Sequence, residues 1–118
     1  INGLPGESYK MMIESAREVA SLRPDFLKIH LLHVIRGTDA AREYEEGLFR
    51  TLEFDEYINT VCDQIELMPP ETTIERLTGD GAAETLIAPL WSKDKRRVLN
   101  GIDKALAARG SCQGILFK

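Results

Sequence analysis

Apolar residues along the chain follow a helical period in some segments and an extended one in others, with Gly and Pro between them. In residues 8–22 they recur at spacings of three and four, which predicts a helix that Ser8 caps and Pro24 stops. Residues 26–35 are almost continuously apolar. They predict one strand buried on both faces, as in a parallel sheet that is covered by helices.

The rest of the chain continues this alternation. The predicted elements are a short polar helix over residues 39–47, a long helix over 51–68, a strand over 72–78 and a last helix over 92–109. Thr51 is the expected cap of the long helix, and Pro69 and Pro70 break it. Gly110 is the expected stop of the last helix.

The order of these elements is typical of βαβ units, in which parallel strands alternate with crossover helices. Residues 1–3 are interpreted as the end of a further strand whose earlier part lies upstream, since the chain does not begin with Met. Three strands cannot close a barrel of about eight. The sequence therefore predicts an α/β fold with parallel strands, arranged as an open sheet or a partial barrel.

Length and composition favour one folded unit. The chain has 118 residues, of which 43% are hydrophobic and 29% charged, enough for a single domain over residues 1–118. The net charge of -4 argues against a broad nucleic-acid surface, and no apolar run reaches the roughly 18 residues of a membrane span. We expect a cytoplasmic protein that does not enter a membrane. The positions of Cys62 and Cys112 predict neither a disulfide framework nor a metal site.

Ligands of α/β proteins bind at the carboxyl ends of parallel strands, so the loops there hold the candidate chemistry. In the first loop, Gly3 and Gly6 let the backbone approach a ligand, and Glu7 is placed to meet an amine or hydroxyl. The alternative is a loop in which Gly and Pro only make the turn. The residues alone favour that alternative.

The second group of candidates lies along and after the apolar strand. Lys28 and His30 are two residues apart and therefore share a side of the strand, with Arg36 and Thr38 at its exit. A lysine in so apolar a segment needs a polar cavity or a carboxylate partner, because burying an unpaired ammonium is costly. Ligand binding and a purely structural role are equally supported. His33 has the opposite parity and is expected to face a helix.

The third group follows the strand over residues 72–78. Arg76 and Thr78 share a face of this strand, and Asp80 lies in the turn beyond it. Arg76 is a candidate for binding a carboxylate or phosphate through two parallel hydrogen bonds. The alternative is an ion pair with Asp80 or Glu75, which the sequence slightly favours.

Several stretches together resemble one protein family. These stretches are INGLPGES, LKIHLLHVIRGTDA, YEEGLF, ERLTGD, LIAPLWSKDKRRVLNGID and the final QG. In this order they are similar to the C-terminal part of the YhcC-like radical S-adenosylmethionine (SAM) proteins. That family is related to the catalytic subunit of elongator and to oxygen-independent coproporphyrinogen oxidase. The similarity covers nearly the whole chain.

The resemblance implies the fold of a partial (β/α)6 barrel. Residues 1–50 would hold its last βα units, and residues 51–118 would form a C-terminal extension. It also implies that the first loop lies against SAM, so that Gly3, Gly6 and Glu7 are candidate SAM-side residues.

On the same basis, Lys28 and His30 lie on a strand whose end approaches the adenosine of SAM. Candidates for substrate binding or for structural roles are the other residues of the second and third groups, Arg36, Thr38, Arg76 and Asp80.

The cofactors that the resemblance implies are SAM and a [4Fe–4S] cluster. Radical SAM enzymes hold the cluster through three closely spaced cysteines, and this sequence has no such triplet. The intact protein is expected to cleave SAM reductively to a 5′-deoxyadenosyl radical that acts on an unidentified substrate. The 118 residues alone would not catalyse this reaction, and their partner would be the N-terminal half of the same protein.

Three further expectations concern partners. Without the N-terminal half, an unpaired strand edge and exposed apolar surface favour self-association. Kinship with elongator makes RNA a candidate partner. The competing hypothesis is a complete small α/β module that binds a ligand or a protein and catalyses nothing.

Overall fold

Helices and short strands alternate along the computed structural model, which describes residues 1–79 and 83–118. The helices are α1 (Tyr9–Ser21), α2 (Asp39–Glu45), α3 (Phe54–Leu67) and α4 (Lys95–Arg109). The strands are β1 (Phe26–Lys28), β2 (Val34–Ile35), β3 (Thr73–Arg76) and β4 (Leu86–Ala88). A 3₁₀ turn, Leu90–Lys93, precedes α4. In the described part of the chain, no helix is long and apolar enough to cross a membrane.

All four predicted helices form, and several of their ends are where the sequence indicated. The Ser8 hydroxyl accepts a hydrogen bond from the N–H of Met11 and so caps α1. Gly110 ends α4 in the left-handed conformation, with φ of 62°, which a glycine adopts without steric cost.

Two predicted helix starts are wrong by two or three residues. The long helix α3 begins after Glu53 rather than after Thr51, because Glu53 and Glu56 form a reciprocal capping box. The last helix begins after Asp94, whose carboxylate accepts from the N–H of Arg97. In both cases an acidic side chain satisfies the free N–H groups of the first turn.

The apolar segment over residues 26–35 does not form the single strand that was predicted. It is divided: β1 pairs with β3 in parallel, whereas β2 pairs with β4 in antiparallel orientation. Between them, Asn2 and Leu31 form an isolated parallel bridge. The expectation of parallel pairing throughout is therefore wrong. Strand β4 was not predicted, because a strand of three residues is too short to show a period.

Burial along this segment also differs from the prediction. Leu31 is 2% exposed and belongs to the core, but Phe26 is 64% exposed and the Lys28 side chain 61% exposed. The described helices cover one face of β1 and leave the other open. A continuous apolar run thus predicted burial on two faces where this chain covers only one.

The main core lies between the β1–β3 pair, the segment that follows β1, and the packed helices α3 and α4. The β1–β3 pair and the Asn2–Leu31 bridge are together called the sheet. Its buried members are Ile29, Leu31, Tyr57, Ile58, Val61, Cys62, Ile65, Val98 and Ile102. A second cluster joins α1 to the end of α3 through Ala16, Ala20 and Met68, and a third joins α2 to β2 and β4 through Val34, Ala41 and Ala88. Because β1 pairs with β3, the segments before and after residue 50 share one core.

Packing between α3 and α4 can be tested by truncating Ile102, which is 1% exposed. Ile102→Ala is expected to lower the free energy of unfolding by about 2–5 kcal/mol, because it leaves a cavity in the main core. Leu99→Ala, on the same helix but 41% exposed, is the matched control and should lower it by less than about 1 kcal/mol. Urea denaturation measures both values. Equal losses of unfolding free energy in the two variants would contradict the burial of Ile102 between α3 and α4.

Candidate functional site

The first predicted loop begins directly after the buried residue Asn2. Gly3 and Gly6 have φ of 85° and 77°, the left-handed region in which other residues are strained. A side chain at Gly3 would also press against Leu52, with its Cβ 3.1 Å from Cδ1. Both glycines are therefore required by the shape of the loop.

Glu7 closes this loop on itself. Its Oε1 accepts hydrogen bonds from the N–H of Gly3 at 2.9 Å and of Leu4 at 3.2 Å. The same oxygen is thus not available to a ligand. Oε2 accepts no hydrogen bond from the described residues, so the carboxylate keeps one oxygen for an external donor.

The loop is attached to the sheet through the backbone of Asn2. The N–H of Asn2 donates to the His30 carbonyl at 2.8 Å, and the N–H of Leu32 donates to the Asn2 carbonyl at 2.9 Å. This is parallel pairing, so both segments end at the same edge of the sheet. The Gly3–Glu7 loop and the segment after His30 therefore leave the sheet side by side.

His30, from the second group, meets the turn that follows β3. The rings of His30 and His33 lie 5.3 Å apart between centroids in a T-shaped arrangement. A Cβ atom at Gly79 would overlap the His33 ring and lie 2.8 Å from Cε1 of His30. Glycine is thus required by close approach to this histidine pair. The two rings approach each other despite their opposite parity in the sequence, because regular strand geometry ends at Lys28.

Two polar atoms near Gly79 are buried without a hydrogen-bond partner in the described structure, Nε2 of His33 and Oγ1 of Thr78. On the neighbouring ring, Nδ1 of His30 lies 2.7 Å from the Leu31 carbonyl. Burial lowers the pKa of His33 below its usual value of 6.5, and the nearby His30 and Lys95 act in the same direction. The half-buried imidazole therefore favours its neutral form.

Lys28 lies away from this edge, at the end of β1. Its Nζ is 3.9 Å from Oε2 of Glu75, with 61% and 41% of the two side chains exposed. Such an exposed pair contributes little to the free energy of unfolding, about 0–1 kcal/mol. The carboxylate partner that the structural alternative required is present. Arg76 is exposed, and its carbonyl accepts from the N–H of Ile29.

Arg36 and Thr38 support the β2–β4 pair and α2 rather than this edge. The Arg36 guanidinium donates to the Glu84 carbonyl at 2.7 Å. The Thr38 hydroxyl donates to the Ile35 carbonyl and accepts from the N–H of Ala41, which caps α2. Asp80 lies outside the described residues.

Gln64 was missed by the sequence reasoning. It lies on the buried face of α3, is 6% exposed and hydrogen-bonds the Asn2 side chain. A signal existed, since Gln64 is three residues after Val61 and seven after Tyr57 and so falls on the apolar stripe. A polar residue at such a position is buried and needs a partner.

The comparisons with known proteins concern most of the chain. The model of the Radical_SAM C-terminal domain matches residues 24–108. The chain belongs to this family. The domain is 48% identical over 118 residues to the protein YtqA of Bacillus subtilis, covering 100% of the chain and 37% of YtqA. It is 30% identical over 110 residues to YhcC of Escherichia coli K12, covering 93% of the chain and 36% of YhcC. The resemblance to YhcC-like proteins is thus confirmed.

A solved structure shows the same fold. The archaeal Elp3 of Methanocaldococcus infernus, with an N-terminal deletion, matches with a TM-score of 0.79 at 23% identity. The match covers 95% of this chain and 26% of the Elp3 chain. This radical SAM C-terminal domain therefore has a mixed α/β fold like that part of Elp3, and it spans little more than a third of the length of its curated relatives.

The half-buried His33 predicts a pH dependence of stability. Because the pKa of His33 is lower in the folded domain than in the unfolded chain, the unfolded chain binds the proton more readily. Stability should therefore fall as pH drops from about 6.5 toward the folded pKa, and level off below it. His33→Phe removes this titration and should lose less stability between about pH 7 and 5. Thermal unfolding at each pH measures the effect, and identical pH profiles would contradict it.

Proposed function

We propose that this domain forms one wall of the SAM-binding cavity of a radical SAM enzyme, with the Gly3–Glu7 loop toward the cofactor. The observation that carries the proposal is the parallel bridge between Asn2 and Leu31. It supports one shared binding edge, since the loop and the segment from His30 to His33 leave the sheet together. Binding at the carboxyl ends of parallel strands is the general rule for this class of fold.

The loop is suited to a zwitterionic ligand such as SAM. The site of Gly6 is open, with no atom within 4 Å of where its Cβ would be. One oxygen of Glu7 shapes the loop, and the other is left for a donor such as an ammonium or hydroxyl group. His30 is proposed to line the adenosine side. Lys28 is the weakest member of the proposed set, because Glu75 already pairs with it.

When SAM and the cluster are bound, they supply a 5′-deoxyadenosyl radical for hydrogen abstraction from the substrate. The described residues contain no group of three or more His, Cys, Asp and Glu side chains that could hold a metal ion. We therefore propose that the remainder of the protein carries the cluster. The role of this domain is then to bind and orient SAM and to exclude water.

We further propose that the preceding part of the protein completes a partial (β/α)6 barrel. The uncovered face of β1, with Phe26 at 64% exposure, supports this arrangement, as does Ile1 at 70%. Apolar side chains exposed on a sheet indicate a surface that another element covers. On this account residues 1–50 contribute the last barrel units and residues 51–118 the extension.

RNA is proposed as a partner through kinship with elongator, and the charge of one helix supports it. Helix α4 carries five Lys and Arg residues and one Asp, although the chain as a whole has a net charge of -4. Arg109 pairs with Asp63 and Glu66, and the other four Lys and Arg residues of the helix are suited to contact phosphate groups. Arg36, Thr38, Arg76 and Asp80 are proposed for substrate or structural roles.

SAM binding by the full-length, cluster-bearing protein tests the main proposal. Glu7→Gln keeps an oxygen that can accept from Gly3 and Leu4, so the loop stays closed while the charge is lost. We expect the Kd for SAM to rise about tenfold, measured by calorimetry. Glu71→Gln is the matched control, because it removes an exposed carboxylate charge paired with Arg23, outside the proposed site, and should leave the Kd unchanged. Absence of binding to the wild-type protein would refute the function, and tight binding to residues 1–118 alone would favour the small binding module.

The uncovered face of β1 predicts self-association of the 118-residue chain in isolation. Light scattering should show a dimer or larger assembly whose mass increases with concentration, because association removes the exposed apolar surface from water. Phe26→Lys places a charge on that face and should shift the chain toward monomer. A wild-type chain that is monomeric at every concentration would contradict this prediction.

A further inference from the structure

One side chain of α3 holds both ends of the glycine loop. Nε2 of Gln64 donates to Oδ1 of Asn2 at 2.8 Å and to the carbonyl of Met12 at 3.1 Å. Asn2 directly precedes the loop, and Met12 lies in the first turn of α1, directly after it. A single amide nitrogen therefore links the residue before the loop to the first turn of the helix that follows the loop.

The contact between Gln64 and Asn2 is reciprocal. Nδ2 of Asn2 donates to Oε1 of Gln64 at 2.8 Å, so the two amides form a closed pair. The two residues are 6% and 4% exposed. Loss of either partner would leave a buried amide without its hydrogen bonds, which is much costlier than the same loss in water. The pair therefore permits one arrangement of the strand end relative to α3.

The loop needs this restraint because its own hydrogen bonds set its shape but not its position relative to α3. Gly3 and Gly6 each have access to far more backbone conformations than other residues do. Within the loop, Glu7 is the side chain that closes the turn. If the two ends were free to move, a closed turn would still change its position relative to the sheet.

We propose that Gln64 is a positioning residue for SAM binding, which acts through Asn2 and Met12 on the Gly3–Glu7 loop. This inference rests on the proposed function. It adds that the affinity for SAM depends on a buried amide in a helix that does not itself contact the cofactor.

The first experiment compares two glutamine variants in the full-length, cluster-bearing protein. Gln64→Leu removes the pair and should raise the Kd for SAM about tenfold. The matched control is Gln113→Leu, because Gln113 also donates two hydrogen bonds, to the carbonyls of Pro69 and Thr72, and neither partner belongs to the loop or to α1. The control should bind SAM as the wild type does, although it also loses stability.

The second experiment separates positioning from general damage through pH. A protonated Glu at position 64 can donate to Asn2 and accept from it, whereas an ionised one cannot donate. Burial raises the pKa of a carboxyl group, so the introduced Glu should ionise within the pH range in which SAM binding can be measured. Relative to the wild type, the SAM affinity of Gln64→Glu should therefore recover as pH falls from about 8 to 6. Because ionisation of the buried carboxyl group also destabilises the fold, thermal unfolding is followed at each pH, and SAM affinities are compared only where the variant is folded.

The outcomes are distinguishable. If the wild type binds SAM but Gln64→Leu binds it equally well, the positioning role is refuted and the proposed function stands. A deficit in Gln64→Glu that is constant with pH, or an equal loss in Gln113→Leu, also refutes it. If the wild type does not bind SAM, the proposed function fails, and this inference fails with it.

Discussion

The buried pairing of Asn2 with the sheet and with Gln64 is the constraint on which the candidate site depends. Its backbone joins the segment around Leu31, and its side chain joins α3. Each contact satisfies polar groups that water cannot reach, so each is strongly favoured over its loss. Because Asn2 has one neighbour in the sheet and another in a helix, the loop that follows is fixed in both position and direction.

The main core holds the segment around Leu31, to which Asn2 is paired. Leu31 packs into the same cluster as Tyr57 and Ile102, so the residue that Asn2 bridges is itself held by α3 and α4. The Tyr57 hydroxyl donates to the carbonyl of Leu77 at 2.8 Å and ties α3 to the segment that carries Gly79. The loop, the histidine pair and Gly79 are thus parts of one edge because a single core positions the elements before them.

The sequence predicted elements that depend on local chemistry better than those that depend on pairing. Ser8 and Gly110 end their helices as expected, because capping involves residues only a few positions apart. The division of residues 26–35 could not be predicted from an apolar run, since the partner of each half lies some 50 residues later. A run with no alternation indicates burial and does not identify the partner.

In the candidate site, too, local features were predicted and long-range contacts were not. The glycines of the first loop were predicted, and their positive φ angles explain why glycine is present. The approach of His33 to Gly79 was not predicted. The turn after β3 meets a segment that is far away in the sequence, and the sequence gives no sign of this contact. Gln64 was overlooked although its position on the apolar stripe is visible in the sequence. A polar residue on the apolar stripe of a helix therefore predicts a buried hydrogen-bonded pair, although it does not identify the partner.

The central claim is that the Gly3–Glu7 loop faces SAM, and amide hydrogen exchange in the full-length, cluster-bearing protein tests it most directly. The N–H groups of Gly3 and Leu4 are already bonded to Glu7, whereas that of Gly6 has no acceptor among the described residues. Addition of SAM should therefore slow exchange in the peptide that contains Gly6, while the Pro69–Thr72 turn stays unchanged. Unaltered exchange at Gly6 under conditions in which SAM is bound would contradict the account.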